Sequence, residues 1–133
     1  MNVGVISDTH GLLRMEALQA LEPCELILHV GDVGSRDILD DLMDIAPVVA
    51  VRGNVDGASW ARSLCKTEAV EAGSHLFYMV HDIGELDIDP VAAQVSVVIY
   101  GHSHLLRCER EVGVLYLNPG SAGPRRFHLP VTV

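Results

Sequence analysis

Five apolar segments of this sequence each run into a side chain that can bind a metal ion. The first, residues 3–6, is followed by Ser7-Asp8-Thr9-His10-Gly11, in which an Asp and a His stand two positions apart. Carboxylate oxygen and imidazole nitrogen together suit divalent metals such as Mn, Fe, Co, Ni and Zn. An Asp-x-His pair is common by chance, so the pair alone is weak evidence. The later segments 26–30, 48–51, 76–80 and 95–100 end in the same way, at Asp32, at Asn54, at His81, and at His102 with His104.

These side chains are expected to form one cluster. In open α/β sheets, functional sites lie outside the carboxyl ends of the strands. The donors are too many for one metal but enough for two metals that share a carboxylate. Two metals about 3.5–4 Å apart can clamp a phosphate during in-line displacement. The predicted metal ligands are Asp8, His10, Asp32, Asn54, His81, His102 and His104.

The elements that must position these ligands follow from the apolar periodicity. Strands at 3–6, 26–30 and 48–51 alternate with helices at 12–21 and 37–44, the second capped by Ser35, which is typical of right-handed parallel crossovers. The later half predicts two hairpins and a strand at 95–100, and we expect two packed sheets flanked by helices. The remaining predicted elements are hairpin strands at 67–71 with 75–80 and at 105–111 with 114–118, a short helix from Asp89 to Gln94, and a strand at 126–133.

The order of the ligand motifs resembles that of the calcineurin-like metallophosphoesterases. The motifs are Asp8-x-His10, Gly31-Asp32, Gly53-Asn54-x-Asp56, His81 and Gly101-His102-x-His104. The small size and Asn118-Pro119-Gly120-Ser121 are similar to the compact bacterial and archaeal phosphodiesterase branch of that superfamily. Taken together the motifs are specific, although each alone is not.

The resemblance implies a four-layer α/β/β/α sandwich, with two mixed β-sheets flanked by helices, and a hydrolase of phosphoric ester bonds. A phosphodiesterase with a dinuclear metal centre and a metal-bound hydroxide is the favoured activity, with Asn54 and His81 as catalytic residues. Manganese is the favoured metal, with nickel, iron or zinc as alternatives. One metal would be held by Asp8, His10, Asp32 and His104, and the other by Asp32, Asn54, His81 and His102.

The substrate contacts expected from position are Arg52, Asn118 and Ser121. Arg52 is the nearest positive charge to the ligands in sequence, although an exposed Arg at a strand end explains it equally well. The chain departs from the family pattern at Val55, where many members carry a His that protonates the leaving group. Valine cannot donate a proton, so the proton would come from water or from another residue, with His75 and Asp56 as candidates. Asp56 is otherwise expected to fix its loop, and His29 to be structural.

The composition limits the remaining possibilities. The 133 residues predict a single domain over 1–133, with a C-terminus shortened relative to the family, and three widely spaced cysteines exclude a disulfide framework. The formal net charge of −9 argues against duplex nucleic acid and acidic membranes as partners. No apolar run approaches the ~20 residues of a membrane span. Because Met1 leads straight into the first strand, with no room for a signal peptide, we expect a cytoplasmic protein. We expect its partner to be a small phosphoester substrate, and the chain could also form a homo-oligomer.

Two other functions stay open from the sequence. The retromer subunit that shares this fold is an interaction scaffold with an eroded metal site, whereas this chain keeps every His ligand. A phosphomonoesterase or nucleotidase would use the same ligands as a phosphodiesterase, so only a substrate panel separates the two.

Overall fold

The computed structural model describes residues 1–124, which form two β-sheets and two α-helices. The first sheet has the order β1-β2-β3 and is wholly parallel. Parallel strands require crossover connections, and the two helices supply them. The strands are β1 (Val3–Ile6), β2 (Leu26–His29) and β3 (Val48–Ala50), and the helices are α1 (Met15–Leu21) and α2 (Arg36–Met43).

The second sheet has five strands in the order β4-β5-β6-β8-β7. Its three central strands, β5, β6 and β8, run parallel, and each edge is closed by an antiparallel hairpin, β4–β5 or β7–β8. The strands are β4 (Thr67–Ala72), β5 (His75–Val80), β6 (Val97–Ile99), β7 (Arg107–Glu111) and β8 (Val114–Asn118).

The main core lies between the two sheets. Leu28 and Val30, at and just after β2, are fully buried with Met79 of β5 and Ile99 of β6. A second cluster joins Ile27 of β2 to the apolar faces of the two helices. Both faces of the first sheet are therefore covered, which explains why its strands are near-continuous apolar runs in the sequence. The helix residues of the second cluster are Ala17, Leu21, Ile38 and Leu42.

The predicted α/β fold with two packed sheets is confirmed, and two details differ. Mixed strand directions occur only in the second sheet, because among residues 1–124 the first sheet contains no antiparallel strand. The helix predicted from Asp89 to Gln94 is wrong. Oδ1 of Asp89 does accept a hydrogen bond of 3.1 Å from the N–H of Val91, as an N-cap would. However, Gln94 adopts a φ of 60°, so the segment stops after one hydrogen-bonded turn and does not become a helix.

The outer face of the second sheet is covered by a loop. Leu86 and Ile88 pack with Val95 against Tyr78 and Val98 of this sheet. A short 3-10 helix, Ile83–Glu85, precedes these residues. The predicted strand at 126–133 lies outside the described residues. No helix in residues 1–124 is long and apolar enough to cross a membrane.

Candidate metal centre

The strand ends bring all the predicted metal ligands to one edge of the molecule. The loops after β1, β2, β3, β5 and β6 carry them, as expected where parallel strands end together. The acidic and imidazole ligands fall into two groups, within each of which the ligand atoms lie less than 4.8 Å apart. The first group is Asp8, His10 and His104, and the second is Asp32, His81 and His102.

In the first group, one oxygen of Asp8 faces the imidazoles. Oδ1 of Asp8 lies 3.5 Å from Nε2 of His104 and 3.8 Å from Nε2 of His10. The other oxygen, Oδ2, accepts hydrogen bonds from the Ser7 hydroxyl at 2.7 Å and from the N–H of His102 at 3.1 Å. Those two bonds fix the rotation of the carboxylate, and they leave Oδ1 directed at the ligand cluster.

In the second group, Asn54 joins the imidazoles through its amide. Its Oδ1 lies 3.1 Å from Nε2 of His81 and 3.3 Å from Nδ1 of His102. Nδ1 of His81 lies 2.7 Å from the carbonyl of Val30, to which it donates a hydrogen bond. That bond directs the lone pair of Nε2 into the cluster, which is the arrangement that a metal-binding histidine adopts.

Asp32 lies between the two groups. Its Oδ2 is 3.5 Å from Nε2 of His10 and 3.2 Å from Nε2 of His81. Its Oδ1 accepts a hydrogen bond of 3.1 Å from the N–H of Val55. One oxygen of Asp32 therefore faces both groups, which is the placement that a shared carboxylate needs.

The residues present fit divalent cations. Oδ1 of Asp8 and Nε2 of His10 are buried and have no hydrogen-bond partner among residues 1–124. The side-chain oxygen of Asn54 faces other hydrogen-bond acceptors. If the amide rotated by half a turn, its NH₂ group would instead lie 3.1 and 3.2 Å from the two oxygens of Asp32. A buried acceptor without a hydrogen-bond donor, such as Oδ1 of Asp8, is costly unless a cation lies beside it. The mixed oxygen and nitrogen donors suit Mn, Fe, Co, Ni or Zn.

The backbone at the ligands adopts a conformation that ordinary residues avoid. Asp8, His10, Asp32, His102 and His104 have φ values between 48° and 69°. Left-handed conformations cost non-glycine residues free energy and concentrate at functional sites. A side chain at Gly31 would approach Nδ1 of His81 to 2.7 Å, so the motif glycines allow the ligand loops to pack this closely.

Burial and charge shift the pKa values within the cluster in opposite directions. Burial raises the pKa of the Asp8 carboxyl. Burial acts in the same direction on Asp32, but hydrogen bonds from His81 and Val55 outweigh it and hold the pKa of Asp32 below its usual range. Burial alone would lower the pKa of His81, whereas its contacts with Asp32 and the Val30 carbonyl raise it overall. The pKa shifts of Asp32 and His81 therefore both favour the charged forms of this pair in the protein without metal.

His29 has a structural position next to this cluster, as its place in the sequence predicts. Its ring is fully buried, its Nδ1 accepts from the N–H of Gly31 at 3.2 Å, and its Nε2 donates to the Thr9 hydroxyl at 3.0 Å. The Thr9 hydroxyl in turn donates to the carbonyl of Val33 at 2.8 Å. Burial lowers the pKa of His29 to about 3, so the ring is neutral.

Asp56 holds the loops of the second group. Its carboxylate accepts hydrogen bonds from the N–H groups of Val33, Gly34 and Gly53 at 3.0–3.1 Å. The residue is 3% exposed. Both oxygens of this carboxylate are occupied by backbone donors of the loops that it holds, so we exclude Asp56 as the general acid.

His75 is also excluded as that acid. It begins β5, whereas the predicted ligand His81 follows the last residue of the same strand. A strand of six residues is about 20 Å long, so His75 lies at the opposite end of the sheet.

The three predicted substrate contacts have different environments. Arg52 lines a cleft of about 380 Å³ that Asn54, His81 and His102 also line. Asn118 is fully buried, where its NH₂ group donates to the Gly101 carbonyl at 3.1 Å and its oxygen accepts from Gly120 at 2.9 Å. The hydroxyl of Ser121 is buried and donates to the Asp8 carbonyl at 3.1 Å. These contacts give Asn118 and Ser121 the task of holding ligand loops and do not support contact of their side chains with substrate.

Several residues that support this site could not be predicted from the sequence. The Ser7 hydroxyl and the N–H of Val55 orient the carboxylates of Asp8 and Asp32, and a backbone N–H leaves no trace in a sequence. Arg62 and Lys66 line the cleft with Arg52. Their only sequence signal is that they are positive charges shortly after β3 in an acidic chain.

Comparison with known proteins agrees with this geometry. A family model described as the calcineurin-like phosphoesterase superfamily domain matches residues 1–133. A probable metallophosphoesterase of Methanocaldococcus jannaschii is 35% identical over 130 residues, which cover 91% of this chain and 68% of that protein. A phosphodiesterase of the same organism is 28% identical over 138 residues, which cover 90% of this chain and 83% of that protein.

A solved structure is also similar to this chain in its fold. Wild-type Vps29 of Entamoeba histolytica, in complex with Zn²⁺, has a TM-score of 0.79 and 26% sequence identity to this chain. The alignment covers 99% of this chain and 81% of that protein.

Proposed function

Because the chain belongs to the calcineurin-like phosphoesterase superfamily, we propose that it is a phosphodiesterase that uses two divalent metal ions held by the candidate metal centre. The supporting observation is the position of Asp32, whose Oδ2 faces both groups of ligands at 3.2 and 3.5 Å. A carboxylate shared in this way is the element that distinguishes a two-metal site from a single site. Manganese is the proposed metal, with nickel, iron or zinc as alternatives.

The metals would supply positive charge for the phosphoryl oxygens and would lower the pKa of a bound water, which makes a nucleophile at neutral pH. The protein would hold the first metal with Asp8, His10 and His104, the second with Asn54, His81 and His102, and both with Asp32. Asn54 and His81 face the cleft of about 380 Å³ and would contact the site from the substrate side. Arg52 lines the same cleft and would bind a substrate oxygen.

The activity can be tested with two chromogenic esters. Bis(p-nitrophenyl) phosphate should be hydrolysed in Mn²⁺ faster than p-nitrophenyl phosphate, and EDTA should stop the reaction. His102→Gln should reduce the rate strongly, whereas His75→Gln makes the same chemical change at an exposed residue at the far end of β5 and should not. A preference for the monoester would replace the phosphodiesterase by a phosphomonoesterase.

A non-catalytic scaffold is the second candidate, favoured by the likeness to Vps29 over nearly the whole chain. That structure holds Zn²⁺, so metal content alone does not separate a scaffold from an enzyme. Metal-dependent turnover does: an intact, metal-loaded protein that hydrolyses neither ester would support the scaffold. The complete set of His ligands in this chain favours the enzyme.

A further inference from the structure

We infer that the cleft beside the second ligand group binds a second phosphate of the substrate, so that the preferred substrates are phosphodiesters with a further phosphate on one ester arm. This inference rests on the proposed function, because it names the substrate class of that same site. The cleft carries three positively charged side chains, Arg52, Arg62 and Lys66, next to Asn54, His81 and His102 of the metal centre. Its volume of about 380 Å³ lies in the range of small-molecule sites, ~300–1,000 Å³.

The cleft contains a large share of the few positive charges in an acidic chain. The chain carries a formal net charge of −9, and Lys66 is its only lysine. Three of the seven Lys and Arg residues within 1–124 line this cleft. Among the described residues, none of these three side chains has a salt-bridge or hydrogen-bond partner, so they are available to a ligand.

The backbone that carries these cations is anchored. The N–H of Arg52 donates to the carbonyl of Cys65 at 2.8 Å, and an isolated parallel bridge pairs Val51 with Cys65. Lys66 is therefore held beside residues 51–52, in the segment that leads from β3 to Asn54. Arg62 belongs to the 3-10 helix Ser59–Ser63, which is fixed by the fully buried Ala61.

The acidic side chains of the cleft limit the size of the anion that it can bind. Asp82 and Glu85 line it as well, and Asp56 is buried beneath its loop. These carboxylates would repel a long polyanion such as duplex nucleic acid. Arginine and lysine both bind phosphate oxygens well, and three cations opposed by the half-buried Asp82 and the exposed Glu85 favour a single additional phosphate.

The inference can be tested with substrates that share a leaving group. Thymidine 5′-(p-nitrophenyl phosphate) has one phosphate, and its 3′-phosphorylated derivative has two. A third probe carries the second phosphate as an internal diester to a second thymidine. We expect kcat/KM to rise about tenfold when a second phosphate is present. This advantage should shrink in the double variant that carries both Arg62→Gln and Lys66→Gln. A gain confined to the 3′-phosphorylated probe identifies a terminal phosphate, and a gain with both identifies any phosphate.

Arg110→Gln is the matched control, because it removes one exposed positive charge from β7, away from the cleft, and should keep the full advantage. Equal kcat/KM for all three probes in the wild-type protein would overturn the inference while leaving the phosphodiesterase intact. Should no probe be hydrolysed, calorimetric binding of thymidine 3′,5′-bisphosphate and thymidine 5′-monophosphate still decides it. Tighter binding of the bisphosphate that is lost in the double variant supports the cleft, and equal binding overturns it.

Discussion

The backbone N–H of Val55 donates a hydrogen bond of 3.1 Å to Oδ1 of Asp32. This bond fixes the carboxylate that faces both groups of ligands, and it is made by Val55, which stands where the family resemblance predicts a proton-donating His. The side chain of Val55 is 50% exposed. Position 55 therefore has two separable properties, a backbone donor that any residue except proline supplies and a side chain that can be changed.

The metal centre should bind close to two ions per chain when the protein is loaded with Mn²⁺. The reason is that the described ligands form two groups with Asp32 between them. Elemental analysis after gel filtration, with calorimetric titration of metal-free protein, measures the stoichiometry. A saturating value of one would contradict the shared role of Asp32, and a value of zero would leave only the scaffold.

Replacement of Asp32 should be more damaging than replacement of Asn54. Asp32→Ala removes the one carboxylate that faces both groups, so we expect hydrolysis to fall by at least about a hundredfold, together with loss of both metals. Asn54→Ala should mainly weaken the second site, so that activity recovers at higher Mn²⁺ concentration. Activity and bound metal are measured across a Mn²⁺ titration for both variants. Near wild-type hydrolysis by Asp32→Ala would refute the bridging role.

The buried His29 should make the metal-free protein less stable in acid. Its pKa is about 3 in the folded protein and near 6.5 in an unfolded chain, so only the unfolded chain takes up a proton between those values. The free energy of unfolding should therefore fall as the pH falls from about 6.5 towards about 3, by up to ~1.4 kcal/mol per pH unit from this residue. Its contribution is complete above pH 6.5.

Urea unfolding in EDTA at a series of pH values tests this effect. In His29→Gln, the slope of the unfolding free energy against pH should fall by the amount that corresponds to about one proton, whatever the variant's stability at neutral pH. His75→Gln is the control, since this histidine is exposed and its replacement should leave the slope as in the wild type. An unchanged slope in His29→Gln would show that the ring is already charged when buried.

The sequence predicts much of this structure because strand ends and ligands coincide. Apolar runs such as Val3–Ile6 specify buried parallel strands, and the side chain that follows each run must lie at the same sheet edge. The order of Asp8, Asp32 and His81 along the chain is enough to place all three there. The short helix predicted at Asp89 fails for a local reason, since Gln94 turns the chain into the left-handed region after one turn.

The finer geometry of the site is not readable from sequence. A left-handed φ at His102 or His104 depends on packing around the loop, because histidine itself prefers other conformations. Similarly, the amide of Asn118 looks like a substrate contact by position, whereas the fold uses it to hold the carbonyl of Gly101. Side chains whose partners come from distant segments require the tertiary structure to be assigned.

The last prediction concerns the missing general acid. His75 and Asp56 are excluded by position and by hydrogen bonding, so the rate should depend strongly on how well the leaving oxygen carries negative charge. Activated aryl diesters should react well and alkyl diesters poorly. General-acid catalysis typically contributes ~10²–10⁴-fold, and its absence is most costly for poor leaving groups.

Val55→His should therefore narrow the gap between good and poor leaving groups. The variant keeps the backbone donor to Asp32 and places an imidazole directly after Asn54, a proposed metal ligand. The measurement is kcat/KM for diesters of graded leaving-group pKa, compared among the wild type, Val55→His and Val55→Gln. Gln has a polar side chain without a titrating proton, so a gain with Gln would attribute the effect to polarity. A flat dependence in the wild type would mean that a proton donor is already present at the site, and the substitution of valine at this position would then have no consequence for the mechanism.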